Sequence, residues 1–160
     1  KRFPDKIILV DAKLIDRAKD AVSIFSQAGA DWITVMAGTS NHVIHSASTT
    51  ARHLGKKVMV DLLDASSLGQ SALEAKSLGA DALLFHESYE EQESLVFLEK
   101  WNMIRGNTTL PVFIAGKITR EIIDKILPLK PDGIVIGRPI TDAENPAEEA
   151  RFYYEKCCAE

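Results

Sequence analysis

Ile7-Ile8-Leu9-Val10-Asp11-Ala12-Lys13-Leu14-Ile15-Asp16 places an aspartate and, two residues on, a lysine directly after four consecutive apolar residues. So short an apolar run, with no polar alternation, marks a parallel strand buried on both faces. In parallel β/α folds the C-terminal ends of the strands line the ligand-binding face. The stretch therefore predicts a strand over Ile7 to Val10 that delivers Asp11 and Lys13 to that face, and strand alternation puts both side chains on one side. A carboxylate beside an ammonium keeps both ionised, so Lys13 is expected as a cation that stabilises a developing enolate oxygen or delivers a proton. Asp16, slightly further on, is placed to orient the lysine or to reach a neighbouring subunit. An ordinary ion pair at a strand end would use the same residues, and spacing alone leaves both readings open.

Similar apolar runs recur at Trp32 to Met36, Val58 to Val60, Ala82 to Phe85, Val112 to Ala115 and Ile134 to Ile136. Between them apolar residues fall at helical spacing, as at Ala18, Ala21, Val22 and Phe25 before Gly29, and at Leu68, Ala72, Leu73 and Ala75 before Gly79. Strand and helix alternate at roughly 25 residues per unit. Three approaches to strands look alike: Ala28-Gly29-Ala30-Asp31, Leu78-Gly79-Ala80-Asp81 and Lys130-Pro131-Asp132-Gly133. In the first two, glycine is expected to supply the left-handed residue that ends a helix, and the third is expected to turn through proline and glycine. This repeated βα unit suits two α/β architectures, a doubly wound open sheet and a (β/α)8 TIM barrel. The barrel needs eight units and usually at least about 200 residues. Six units are countable in these 160 residues, so the barrel reading implies that the first two βα units are absent, which fits a start at Lys1 rather than Met.

Composition bounds the function classes. Apolar content of 46% and charged content of 26% suit a single domain over residues 1–160 with a real core. A net charge of −4 and pI near 5.6 give no basic face, so neither nucleic acid nor an anionic membrane is an expected partner, and any phosphate affinity must be local. No apolar run approaches the roughly 20 residues that span a bilayer and no signal-peptide pattern is present, so a cytoplasmic location is expected. Adjacent Cys157 and Cys158 are expected to be reduced. His42 and His45 share a helical face without an acidic ligand and read as solvated, while Trp32 and Trp101 read as packing residues. The acidic clusters Glu87 to Glu93 and Glu144 to Glu149 read as solvated loops or helix starts.

Other strand ends repeat the pattern of polar residues after an apolar run. Asp61 follows Val58-Met59-Val60 and His86 follows Leu83-Leu84-Phe85, so an acid and an imidazole are expected to converge near Lys13 if the strands line one barrel. Histidine is a natural acid or base near neutral pH, though a hydrogen-bonded structural histidine would also suit such a place. The last two strands end in Ala115-Gly116-Lys117 and Gly137-Arg138. Small residues there let backbone amides approach an anion, and Lys117 and Arg138 add charge, as in the phosphate sites made after strands seven and eight of such barrels.

Taken together, Lys6 to Asp16 with its Asp-x-Lys-x-x-Asp, Ala28 to Val35, Val58 to Asp61, His86, Ala115-Gly116, Gly137 to Thr141 and Asn145-Pro146 resemble the orotidine monophosphate decarboxylase suprafamily. Within it the chain is most similar to the 3-hexulose-6-phosphate synthases, with the 3-keto-L-gulonate-6-phosphate decarboxylases as near relatives. The resemblance implies a homodimeric (β/α)8 lyase that joins formaldehyde to D-ribulose 5-phosphate through a magnesium-stabilised enediolate. It implies Asp11 as a Mg2+ ligand, Lys13 as the cation on the enediolate, and Asp16 as a residue lent to the partner's site. Asp61 and His86 would handle protons, while Gly116, Lys117, Gly137 and Arg138 would hold the phosphate of a sugar phosphate. The decarboxylases usually carry Glu at Asp61 and Arg at Tyr89, which favours the synthase. Two departures stand against this: the family has a second Gly where this chain has Lys117, and its first two strands, which supply another Asp and a metal-binding Glu, have no counterpart. A non-catalytic phosphosugar-binding or truncated barrel is the rival reading.

Overall fold

Among the described residues, six strands form one sheet, all parallel and in sequential order: β1 (Leu9–Leu14), β2 (Trp32–Met36), β3 (Lys57–Asp61), β4 (Ala82–His86), β5 (Val112–Ala115) and β6 (Gly133–Val135). The crossovers are α1 (Ala18–Gln27), α2 (Asn41–His53), α3 (Leu68–Ala75), α4 (Ser94–Arg105) and α5 (Arg120–Ile126). After β6 come the short α6 (Arg138–Thr141) and α7 (Pro146–Cys158). The coordinates are a computed structural model, which describes residues 4–87 and 94–158. Tyr89 and most of the acidic cluster from Glu87 to Glu93 lie outside the described residues.

Strand alternation separates two apolar layers. Ile33, Val35, Val58, Val60, Leu83, Phe85, Val112 and Ile114 point to one face and share a core with helix residues such as Val22, Ala47, Ala72, Trp101 and Ile123. The opposite face carries a smaller cluster of strand residues alone, Met59, Ala82, Leu84 and Ala115, with Trp32 and Phe113 half-buried against it. Phe85 anchors the larger core, with Phe97 and Trp101 ring centres at 4.9 and 6.3 Å. Truncating so large a buried ring typically costs about 3–5 kcal/mol.

This arrangement decides between the two architectures. A doubly wound sheet reverses its strand order and packs helices on both faces; here the order never reverses, and among the described residues the helices pack on one face. Among the described residues β1 pairs only with β2 and β6 only with β5, so the strands form an open half-barrel arc rather than a closed eight-stranded barrel. The open margin leaves Ile7 and Val135 exposed.

The repeated strand approaches have a shared cause that the spelling only partly discloses. Gly29 and Gly79 take φ of 100° and 88°, the left-handed caps expected of them, but in the third approach Lys130 adopts φ 53° and Pro131-Gly133 is not the turning element. The constant member is the aspartate. Asp31, Asp81 and Asp132 accept the backbone N–H of Ile8, Val58 and Val112 at 2.9, 2.9 and 2.8 Å, each fastening the start of the neighbouring strand.

Strand bounds shift in ways that affect the site. The first strand does not end at Val10; it starts at Leu9 and runs through the motif to Leu14, so Asp11 and Lys13 lie inside it. Asp61 and His86 are likewise the last residues of their strands, not the first beyond them. The two cysteines are free and exposed, and His42 and His45 lie exposed on α2. Glu148 and Glu149 open α7.

Candidate active site

Three strands deliver four side chains to one point on the strand-only face of the sheet. Lys13 Nζ from β1 lies 2.6 Å from Asp61 Oδ2 on β3 and 3.1 Å from Asp11 Oδ1. His86 Nδ1 from β4 lies 3.3 Å from the same Asp61 oxygen. Asp61 is completely buried, and its other oxygen accepts the Leu63 N–H at 3.0 Å. Both carboxylate oxygens are therefore engaged: one fixes the rotamer against the following loop, and the other receives the lysine and the imidazole. A tautomer in which Nδ1–H donates to Asp61 would leave Nε2 free to accept a proton.

Burial works against the Lys13 charge, but hydrogen bonds and the fields of Asp61 and Asp11 outweigh it, so the ammonium titrates above its ordinary value of 10.5. Lys13 is thus held as a cation through the neutral range. Two carboxylates against one ammonium leave the cluster with a net charge near −1 when His86 is neutral.

Asp11 and Lys13 converge, but not by the simple alternation expected of a regular strand. Val10 pairs with Ile33 and Leu14 with Val35, so four steps along β1 match two along β2 and the motif bulges. Lys13 takes a left-handed φ of 47° within the bulge. Thr34, fully buried on β2, lies under it: its hydroxyl accepts the Lys13 N–H at 2.9 Å and donates to Asp11 Oδ1 at 3.0 Å. Sequence reasoning passed over Thr34, which sat inside an apolar run. Its signal was a lone hydroxyl two residues before Met36, on the strand face shared with Trp32.

A second feature continues from His86. A cleft of about 350 Å³ is lined by His86, Glu87, Gly116, Lys117, Gly137 and Arg138, among others, so the four residues expected at the phosphate border the same space as the histidine. A Cβ at Gly137 would meet nothing within 4 Å, which leaves its backbone open to a ligand. Glu87 is held aside by Lys100 at 2.8 Å. Asp16 is not part of this assembly. It lies exposed between β1 and α1 and forms no ion pair with Lys13, so it does not orient that lysine within the chain.

Residues 1–153 match the Orotidine 5'-phosphate decarboxylase / HUMPS family. The chain belongs to this family. Among its relatives, 3-hexulose-6-phosphate synthase of Bacillus subtilis is 31% identical over 150 residues, covering 92% of this chain and 71% of that protein. The crystal structure of 3-hexulose-6-phosphate synthase from Salmonella typhimurium superposes with a TM-score of 0.88 at 28% identity, covering 99% of this chain and 76% of that one. KGPDC from Streptococcus mutans, solved as a ligand complex, shares the fold with a TM-score of 0.87 at 22% identity, over 98% of this chain and 74% of its own.

The resemblance to the 3-hexulose-6-phosphate synthases implies a magnesium ion, which the side chains themselves can test. Magnesium is usually held by one or two carboxylates, with water and substrate oxygens completing its shell. Both contacts of Asp11 fall on Oδ1, which leaves Oδ2 on a half-exposed side chain in a cluster of net negative charge. Asp11 fits as one such ligand. No group of three metal-binding side chains occurs among the described residues.

Proposed function

We propose that this chain is an aldol-type lyase acting on a sugar phosphate, with formaldehyde and D-ribulose 5-phosphate as its reactants. The observation that carries the reading is the Lys13 ammonium clamped between Asp61 and Asp11, with His86 on the same Asp61 oxygen and itself lining the cleft bordered by Lys117 and Arg138. Similarity to relatives named 3-hexulose-6-phosphate synthase supports it.

In this reading the phosphate lies against Gly116, Lys117, Gly137 and Arg138, and the carbonyl end of the sugar reaches the strand-end cluster. His86 Nε2 takes a proton from C1, leaving an enediolate whose oxygen charge Lys13 stabilises. The C1 carbon then attacks the formaldehyde carbon, the formaldehyde C=O pair moves to its oxygen, and the proton returns there to complete the hexulose 6-phosphate. Asp61 aligns Lys13 and His86 through one oxygen. A magnesium ion, held by Asp11, would add Lewis-acid stabilisation of the sugar oxygens.

Asp16 stands outside this centre, and we assign it to the neighbouring site of a homodimer. Mixing Lys13→Ala with Asp16→Ala subunits then restores activity, because a heterodimer contains one site free of both changes; a mixture as inactive as its parents, after proven subunit exchange, places Asp16 elsewhere. The reaction itself is tested by formaldehyde consumption with D-ribulose 5-phosphate. No turnover there, with brisk decarboxylation of 3-keto-L-gulonate 6-phosphate, moves the assignment to a carboxy-lyase; failure with both substrates favours a phosphosugar-binding barrel.

A further inference from the structure

We infer that Thr34 is a positioning residue for Lys13, holding the bulged Asp11-to-Lys13 backbone in the one conformation that aims the ammonium at Asp61 and the open face of the sheet. The inference rests on the proposed role of Lys13 and deepens it.

Lys13 holds a backbone conformation that lysine does not favour. An L side chain at φ 47° crowds its own carbonyl, and a non-glycine residue stays there only when its surroundings fix it. Lys13 lies on a strand that, among the described residues, pairs on one side only, and between Val10 and Leu14 the pairing loses register. The usual sheet partner for the Lys13 N–H is therefore missing at this point. The acceptor it finds is the Thr34 hydroxyl, at 2.9 Å.

Thr34 has three properties that suit it to the task. It is completely buried, so water does not compete for its hydroxyl. It is β-branched and sits in a strand paired on both sides, which restricts its side-chain rotation. Its single hydroxyl uses both capacities at once, accepting from Lys13 and donating to Asp11 Oδ1 at 3.0 Å. One oxygen atom thus fastens both charged members of the motif, and through them the ion pair at 3.1 Å. Asp61 cannot substitute, because its contact reaches only the far end of the lysine side chain, and His86 bonds Asp61 rather than Lys13.

Thr34→Val keeps the branched shape and removes both hydrogen bonds, whereas Thr34→Ser keeps the hydroxyl and removes a methyl. Circular dichroism first confirms that both variants fold. The expected outcome for valine is faster amide hydrogen exchange at Lys13, with kcat lowered by about 10- to 100-fold and KM for D-ribulose 5-phosphate within about 2-fold, the pattern of a misaimed catalytic group. Serine is expected to recover most of kcat. A Lys13 amide that exchanges equally slowly in Thr34→Val, or a kcat equal in valine and native proteins, overturns the proposal. Failure of the lyase reading has a different signature: the unaltered protein shows no turnover, while the Lys13 amide still responds to the valine substitution.

Discussion

Replacing Asp61 by Asn keeps the side-chain shape and removes a charge, and the consequence follows from counting acceptors. Asp61 presents Oδ1 to the Leu63 N–H and Oδ2 to both Lys13 Nζ and His86 Nδ1. An amide has one acceptor oxygen and one NH2 donor. If the oxygen serves Leu63, the NH2 faces the ammonium 2.6 Å away; if it serves Lys13, the NH2 faces the Leu63 amide. Either orientation opposes donor to donor at a completely buried position. An unsatisfied buried donor costs about 1–3 kcal/mol, and a mid-range loss of about 2 kcal/mol lowers Tm by about 4–8 °C in a chain of this size. The catalytic loss is larger, because Lys13 and His86 both lose their shared anchor, and a factor of about 10² to 10³ in kcat is expected. Differential scanning calorimetry and the formaldehyde-fixation assay on the same preparation measure both. A variant with native Tm and native kcat would refute the assignment of Asp61 as the common anchor.

Lys13→Ala is expected to lower kcat by about 10² to 10³ while leaving the circular dichroism spectrum unchanged, since a part-exposed strand-end lysine packs little of the core. Because the Lys13 pKa is raised on folding, its pairing contributes fully to stability below its unfolded value of 10.5 and is lost as pH climbs through the higher folded value. The urea-midpoint difference between native protein and Lys13→Met should therefore stay level from neutral pH up to about pH 10 and shrink above it; a difference that falls steadily between about pH 7 and about pH 10 would contradict the pairing. Tyr153→Phe removes the buried hydroxyl that donates to the Ile118 carbonyl at 2.9 Å and links α7 to the segment after Lys117, so a loss of about 1 kcal/mol and about 2–4 °C is expected in calorimetry.

How legible this was in sequence differs element by element. Strand-end positions were readable because a buried parallel strand is a short apolar run, and the polar residue that closes it must face the open end of the sheet. Asp61 and His86 were found that way. Choosing between open sheet and barrel was not possible from periodicity, since both bury strands on two faces; the difference lies in whether the residues alternating with Ile33, Val58 and Leu83 meet helices or one another. The bulge at Lys13 was invisible because register depends on the partner strand, and Ile33 and Val35 lie a whole βα unit further along. Thr34 went unseen for the same reason: its hydroxyl acquires meaning only when the bulge brings the Lys13 amide over it. The aspartates of the repeated strand approaches could have been read, since Asp31, Asp81 and Asp132 all directly precede the first residue of the next strand.

The central claim is that this cluster generates an enediolate on a sugar phosphate, and proton exchange observes that step without the second reactant. D-ribulose 5-phosphate is incubated with the protein and magnesium in heavy water, without formaldehyde, and the C1 protons are followed by NMR. The account predicts stereospecific loss of one C1 proton signal with the native protein and exchange slowed by about 10² or more with Lys13→Ala. No exchange with the native protein, or the same rate in the variant, would contradict it.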